Sequence, residues 1–125
     1  MFKVTAPHEM NATFARAFNS RKLENLLALY EPDARLRVDL SDRTFTGHAE
    51  IATALAGLLA APGEMQSVNR YCIVHGDIAL LRAFFTLRDG ARPIASGSTA
   101  EIVRRQADGS WLYAIDHAAG ADAEA

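Results

Sequence analysis

Hydrophobic residues recur at helical spacing in the first half of the chain. They do so in three stretches, residues 7–19, 20–31 and 47–61. Apolar side chains three and four positions apart form one stripe on a helix. Ser20 suits the N-cap of the second helix, and Pro32 would end it. The pattern predicts three helices, with Tyr30 on the second.

Alternation of apolar and polar residues, which is typical of a half-buried strand, occupies residues 34–40. A turn and a short strand precede the third helix. The second half is predicted to form four long strands, Met65–His75, Ile78–Arg88, Ile94–Gln106 and Trp111–Ala118. Helices followed by a meander of antiparallel strands predict an α+β domain with the helices on one face of a curved sheet, an arrangement that tends to enclose a pocket.

The last two strands place two acidic residues opposite each other. Asp108-Gly109 is a typical hairpin turn, and counting outward from it puts Glu101 across from Asp116. Like charges that face each other across a ladder are destabilising, so this pair needs an explanation. Thr99 lies two residues before Glu101 and therefore on the same face of the strand. Because the other face carries the bulkier residues, the hydrophobic pattern alone would place the face of Glu101 toward solvent. The other face carries the bulky residues Ile102, Trp111, Tyr113, Ile115 and His117.

Composition and charge narrow the possible functions. The chain has 125 residues and a net charge of −2, and acidic residues interrupt every short basic run. We therefore expect no nucleic-acid partner. The histidines and the single Cys72 lack metal-ligand spacing, so neither a metal nor another cofactor is predicted. Without a secretory h-region or a segment of transmembrane length, we expect a cytoplasmic protein with no membrane contact.

Three segments resemble the nuclear transport factor 2-like superfamily, which has the cystatin-like cone fold. They are NSRKLENLLALYEPDARLRVD, FTGHAEIATAL and RRQADGSWLYAID. The nearest relatives are SnoaL-like proteins, ketosteroid isomerases and related domains of unknown function. The resemblance implies three N-terminal helices packed on a strongly curved, mixed, mostly antiparallel sheet, and a homodimer formed through that sheet. We expect residues 1–120 to form this single domain and residues 121–125 a disordered tail.

The catalytic pattern of the ketosteroid isomerases is only partly retained. In a hand alignment, the phenol that would polarise a carbonyl falls at Phe14, and the catalytic base falls at Val38. Neither side chain can exchange a proton. The third functional position of that pattern is a buried acid, and Glu101 is the acid at this position here. Steroid-type isomerase chemistry is therefore disfavoured.

The resemblance also implies that the face bearing Glu101 lines the cone and that the bulky face contacts a partner subunit. A buried carboxyl pair needs either a shared proton or a cation. Strand parity is compatible with Arg82 as that cation, and the turn at residues 76–77 would place Tyr71 opposite it. The candidate catalytic residues are thus Glu101, Asp116 and Arg82. The predicted pocket residues are Phe14, Phe18, Tyr30, Val38, Leu55, Leu59, Tyr71, Phe84 and Thr99.

Two functions stay open on the sequence. A protonated acid beside an ionised one suits isomerisation, cyclisation or hydration of a small apolar or carbonyl-bearing molecule. Alternatively, the polar cluster only satisfies buried charges. The protein is then a homodimeric association module that has no ligand.

Overall fold

The computed structural model describes residues 2–122, and its helices lie where the apolar periodicity predicted them. A 3₁₀ turn leads into the helices α1 (Met10–Asn19), α2 (Leu23–Leu27) and α3 (Gly47–Leu59). Helices α1 and α3 turn their apolar stripes toward the core, where Phe18 and Ile51 are fully buried. Helix α2 is shorter than predicted because the chain enters the first strand at Tyr30.

Within the described residues, seven strands form one mixed sheet. They are β1 (Tyr30–Arg37), β2 (Phe45–Thr46), β3 (Glu64–His75), β4 (Ile78–Asp89), β5 (Arg92–Ser98), β6 (Ala100–Arg105) and β7 (Trp111–His117). Their order is β2-β1-β7-β6-β4-β3, with β5 also paired to β4. Strands β1 and β7 run parallel, whereas the other pairs are antiparallel. The sheet is therefore mixed and mostly antiparallel.

Strand β1 brings the N-terminal half of the chain to the last strand. Tyr30 pairs with Tyr113 on β7, and the register shifts before Arg35. This irregularity accommodates Pro32, which has no N–H to donate to a regular ladder. The helical assignment of Tyr30 was therefore wrong.

The long strand predicted over residues 94–106 bends at Thr99, between β5 and β6. Both segments pair with β4 in the same register on either side of this bend, and the β4–β5 register shifts only between Leu87 and Arg88. At the bend, the backbone N–H of Thr99 donates to Ala83 O at 2.8 Å, and Thr99 Oγ1 accepts from Ala83 N at 3.0 Å. The threonine side chain thus completes the ladder where the strand changes direction, next to Glu101.

The β6–β7 hairpin has the predicted pairing of Glu101 with Asp116, but its loop and its ladder differ from the prediction. Gln106 N donates to Ser110 O, so the loop is longer than the predicted turn at Asp108-Gly109. A bulge in β7 then adds one residue between Tyr113 and Ile115. The two irregularities compensate, and the pairing of Glu101 with Asp116 is confirmed.

The longer loop also changes the face that two aromatic residues before the bulge occupy. Trp111 and Tyr113 are buried in the core, on the same face as Glu101. Their predicted position on a subunit-contacting outer face was wrong. Ile115, beyond the bulge, does lie on the outer face and is exposed.

The residues that follow β7 return to the sheet. Ala121 N donates to Ser98 O at 3.0 Å, and Ser98 N donates to Asp122 Oδ1 at 2.6 Å. A disordered tail beginning at residue 121 was therefore wrong for these two residues. Residues 123–125 lie outside the described part of the chain. The single-domain assignment stays a prediction.

Within residues 2–122, none of the helices has the length and apolar character needed to span a membrane. The expected cytoplasmic location stays a prediction.

Candidate functional site

A cavity of about 510 Å³ lies between the helices and the inner face of the sheet. Seven of the predicted site residues line it, namely Phe14, Tyr30, Val38, Leu55, Thr99, Glu101 and Asp116. The other lining residues are mainly apolar, and they are Asn11, Leu36, Phe45, Thr53, Ala54, Gly57, Leu58, Met65, Ser67, Phe85, Leu87, Ala95, Tyr113 and Ala118. The cavity is thus an apolar space with a few polar groups.

Four predicted pocket residues lie elsewhere. Phe18 is fully buried in the core, and Leu59 packs against the core rather than lining the cavity. Phe84 lies on the outer face because its neighbour Phe85 points into the cavity. Tyr71 is also on the outer face and is exposed. These positions follow from the helical rotation of α1 and α3 and from the strand register, neither of which a hand alignment determines.

Glu101 and Asp116 are direct partners across β6 and β7. They are only 3% and 7% exposed, and both line the cavity. Their face therefore points inward, as the resemblance implied. Their catalytic role stays a prediction.

Tyr30 binds one member of the pair. Its Oη donates a hydrogen bond to Asp116 Oδ2 at 2.5 Å, because the parallel β1–β7 pairing sets the tyrosine beside the carboxylate. The Tyr30 and Tyr113 ring centroids are 5.0 Å apart, and the Phe14 ring meets Tyr113 edge-on at 6.1 Å. Three aromatic rings therefore lie close to the carboxyl pair.

Asn11 is a site residue that sequence reasoning missed. It lies on α1, is buried, lines the cavity and lowers the pKa of Glu101 through a side-chain hydrogen bond. Its Oδ1 accepts a hydrogen bond from Asn69 Nδ2 at 3.1 Å, which leaves its N–H groups for Glu101. A signal was present, because an amide beside Met10 interrupts the stripe of α1.

Burial raises the pKa values of both carboxyls. It raises that of Glu101 to about 8, with a further contribution from the Asp116 charge, while Thr99 and Asn11 act in the opposite direction. Burial raises the pKa of Asp116 to about 6, and the hydrogen bond from Tyr30 opposes the rise. Between about pH 6 and pH 8 the pair therefore holds one proton and one negative charge, and the higher pKa of Glu101 favours the proton on that carboxyl.

Arg82 does not neutralise the pair. Leu81 is the residue opposite Glu101, so the neighbouring Arg82 points to the outer face. There it lies opposite Tyr71, which confirms that predicted pairing. Its role as the cation of the site was wrong, because the strand register differs by one residue from the one that parity allowed. Among residues 2–122, the cavity wall contains no Lys, Arg or His.

The architecture defines a class of protein. A cone of helices on a curved sheet around an apolar cavity is the cystatin-like fold of nuclear transport factor 2-like proteins. Residues 11–114 match the model of the SnoaL-like domain, and the chain belongs to this family. No curated protein matches the sequence.

Solved structures share this fold. A putative calcium/calmodulin-dependent protein kinase type II association domain from Thiobacillus denitrificans has a TM-score of 0.73 at 24% identity, over 94% of this chain and 96% of that one. A cystatin-fold protein from Novosphingobium aromaticivorans has a TM-score of 0.70 at 20% identity, over 94% and 81%. A ketosteroid isomerase-like protein from Erwinia carotovora atroseptica has a TM-score of 0.66 at 21% identity, over 83% and 85%. At these identities the similarity shows the fold alone.

Proposed function

We propose that the protein binds a small, largely apolar molecule in the cavity, with the polar group of that molecule against Glu101 and Asp116. The observation that supports this proposal is the buried carboxyl pair in the wall of an otherwise apolar cavity. A concave apolar space of several hundred cubic ångströms with a few convergent polar groups is typical of small-molecule sites.

The different pKa values of the two acids suit acid–base chemistry. Protonated Glu101 can donate a proton or a hydrogen bond, and ionised Asp116 can accept one. Isomerisation, cyclisation and hydration are the reaction types that such a pair supports. Because Phe14 and Val38 stand at the other two ketosteroid isomerase positions, the reaction here would use a different set of residues from that enzyme.

A ligand screen by thermal melting tests this proposal. We expect one or more small carbonyl, epoxide or amine compounds with apolar bodies to raise the melting temperature of the wild type. Asp116→Asn and Glu101→Gln should weaken the best compound about tenfold or more, because each replaces a group that contacts it. Glu24→Gln, on the exposed side of α2, is the matched control. Equal binding by all four proteins, or no binding at all, would contradict the proposal.

An association module is the second candidate, and the outer face of the sheet favours it. The strand pairings align Ile73, Leu80, Ile102 and Ile115 in one row across β3, β4, β6 and β7. Ile73 is 59% exposed and Ile115 is 47% exposed. A continuous apolar row on one sheet face is typical of a subunit interface, and a two-fold axis would place two such rows against each other. The association-domain neighbour is consistent with this arrangement.

The oligomeric state tests the second candidate. We expect sedimentation equilibrium to give a homodimer for the wild type and a monomer for Leu80→Lys, because a buried, unpaired ammonium would oppose the contact. Leu40→Lys replaces a similarly exposed leucine that lies outside the sheet, and it should remain a dimer. A monomeric wild type would contradict this interface. The two candidates are compatible, because the cavity and the outer face lie on opposite sides of the sheet.

A further inference from the structure

The polar part of the cavity carries a negative charge that no described side chain of its wall neutralises. Asp116 is ionised at neutral pH, and its neighbour Glu101 is neutral. The hydrogen bond from Tyr30 stabilises the charge without cancelling it. Within residues 2–122, no basic side chain lines the cavity, since Arg82 lies on the other face. A neutral ligand would displace water from this carboxylate and leave the charge less well solvated.

The second carboxyl has an unused hydrogen-bonding atom. Glu101 is 3% exposed and lines the cavity, and its Oε1 has no hydrogen-bond partner within the described residues. Leaving a buried polar atom unpaired costs free energy that a bound group recovers when it supplies the missing bond. Glu101, which carries this atom, lies directly opposite Asp116 in the β6–β7 ladder. One ligand group can therefore engage both acids.

The aromatic side chains next to the pair favour a positive charge. Phe14, Tyr30 and Tyr113 all line the cavity, with ring centroids 5.0 Å apart for Tyr30–Tyr113 and 6.1 Å apart for Phe14–Tyr113. The face of an aromatic ring attracts cations, and the attraction grows when water is excluded. The rest of the wall offers only apolar surface to the body of the ligand.

We propose that the ligand is a hydrophobic amine, bound as its ammonium form with the nitrogen between Asp116 and Glu101. This inference rests on the proposed function and specifies its ligand class. The ammonium supplies the missing charge, and its several N–H donors match the acceptors Asp116 and Glu101. A metal ion fits less well, because residues 2–122 contain no group of three or more His, Cys, Asp or Glu side chains arranged to hold one.

A series of three probes that share a naphthyl ring and differ in the charge of their polar group tests the charge preference. The probes are 1-naphthylmethylamine, 1-naphthylmethanol and 1-naphthoate, whose common ring is small compared with a cavity of about 510 Å³. At pH 7, calorimetry should show the amine binding at least tenfold more tightly than the alcohol, because it gains a charge-assisted hydrogen bond. The naphthoate should bind most weakly. An alcohol that binds as tightly as the amine would overturn the inference.

Variants locate the preference in the cavity. Asp116→Asn should lower the amine affinity tenfold or more and by a larger factor than it lowers the alcohol affinity, because it removes the charge and keeps an oxygen for Tyr30. Asp42→Asn, an exposed carboxylate on the loop before β2, should change neither affinity. An unchanged amine affinity in folded Asp116→Asn would contradict the inference. If that variant does not fold, the wild-type series decides alone.

The outcomes separate this inference from the proposed function. The alcohol, or a neutral compound from the melting screen, could bind as tightly as the amine. That result would overturn the amine assignment, but the cavity would still be a ligand site. Failure of the three probes overturns the amine assignment. If the wider screen also finds no ligand, the proposed function fails with it.

Discussion

Glu101→Gln is expected to raise the free energy of unfolding by about 3–5 kcal/mol at pH 9 and to leave it nearly unchanged at pH 4. Glutamine is close in shape to the protonated acid and cannot ionise. The wild-type side chain must carry its charge at pH 9 while it remains buried beside Asp116. Each pH unit between the pKa values of the folded and unfolded states is worth about 1.4 kcal/mol.

The sign follows from the direction of the pKa shift. Burial raises the pKa of Glu101 in the folded state to about 8, from an ordinary value of 4.5. Between these pH values the folded protein holds a proton that the unfolded chain has released. The wild type is therefore most stable below about pH 4.5 with respect to this group, and it loses stability as the pH rises to about 8. The Gln variant lacks this loss.

Urea denaturation at pH 4, 7 and 9 measures the effect. Glu24→Gln, the exposed control on α2, should change the free energy of unfolding by less than about 0.5 kcal/mol at each pH. Equal stabilities of wild type and Glu101→Gln across this range would show that Glu101 ionises without penalty. The charge argument for the site would then be wrong.

Tyr30→Phe is expected to destabilise the protein by about 2–3 kcal/mol at pH 8. The change removes the hydroxyl that donates to the buried Asp116 carboxylate, and hydrogen bonds to charged groups are worth about 1.5–3 kcal/mol. Because this hydrogen bond holds down the pKa of Asp116, its loss should also raise that pKa further above 6. Below pH 6 the carboxyl becomes neutral and the destabilisation should shrink.

Tyr113→Phe provides the matched control for this prediction. Its ring lies 5.0 Å from that of Tyr30 and is equally buried, but the hydrogen bond to Asp116 comes from Tyr30. We expect a smaller loss, with less dependence on pH. Denaturation of both variants at pH 8 and pH 5 distinguishes them. Similar losses, or a Tyr30→Phe loss that is the same at both pH values, would show that the hydroxyl does not stabilise the Asp116 charge.

The pairing of Glu101 with Asp116 was predicted correctly, although the predicted geometry of the hairpin was wrong. A two-residue turn and a regular ladder predict the pairing of Glu101 with Asp116, whereas the structure reaches it through a longer loop and a bulge in β7. The longer loop shifts the register of the residues before the bulge by one, which is why Tyr113 lies in the core rather than on the outer face. No local sequence pattern marked this bulge.

The error at Arg82 has a related cause. Parity defines the face of each residue only within one strand, and the register of β4 against β5 shifts by one residue between Leu87 and Arg88 before β4 reaches β6. A difference of one residue moves a side chain through the sheet. The sequence predicted an ion pair between Arg82 and the two acids. Because Arg82 faces outward, the negative charge of the acid pair has no basic partner among the described residues of the cavity wall.

The amino-acid pattern alone predicted the helices, most of the strands and the family resemblance, because helical stripes, strand alternation and turn residues are local properties. Three features of the site could be seen only in the folded molecule: Tyr30 reaches Asp116, Asn11 lies beside Glu101 and Arg82 faces outward. These contacts join residues far apart in the chain. They depend on bulges, on the parallel β1–β7 pairing and on how α1 packs over the sheet, and these features are set by the packing of the whole molecule rather than by any local segment.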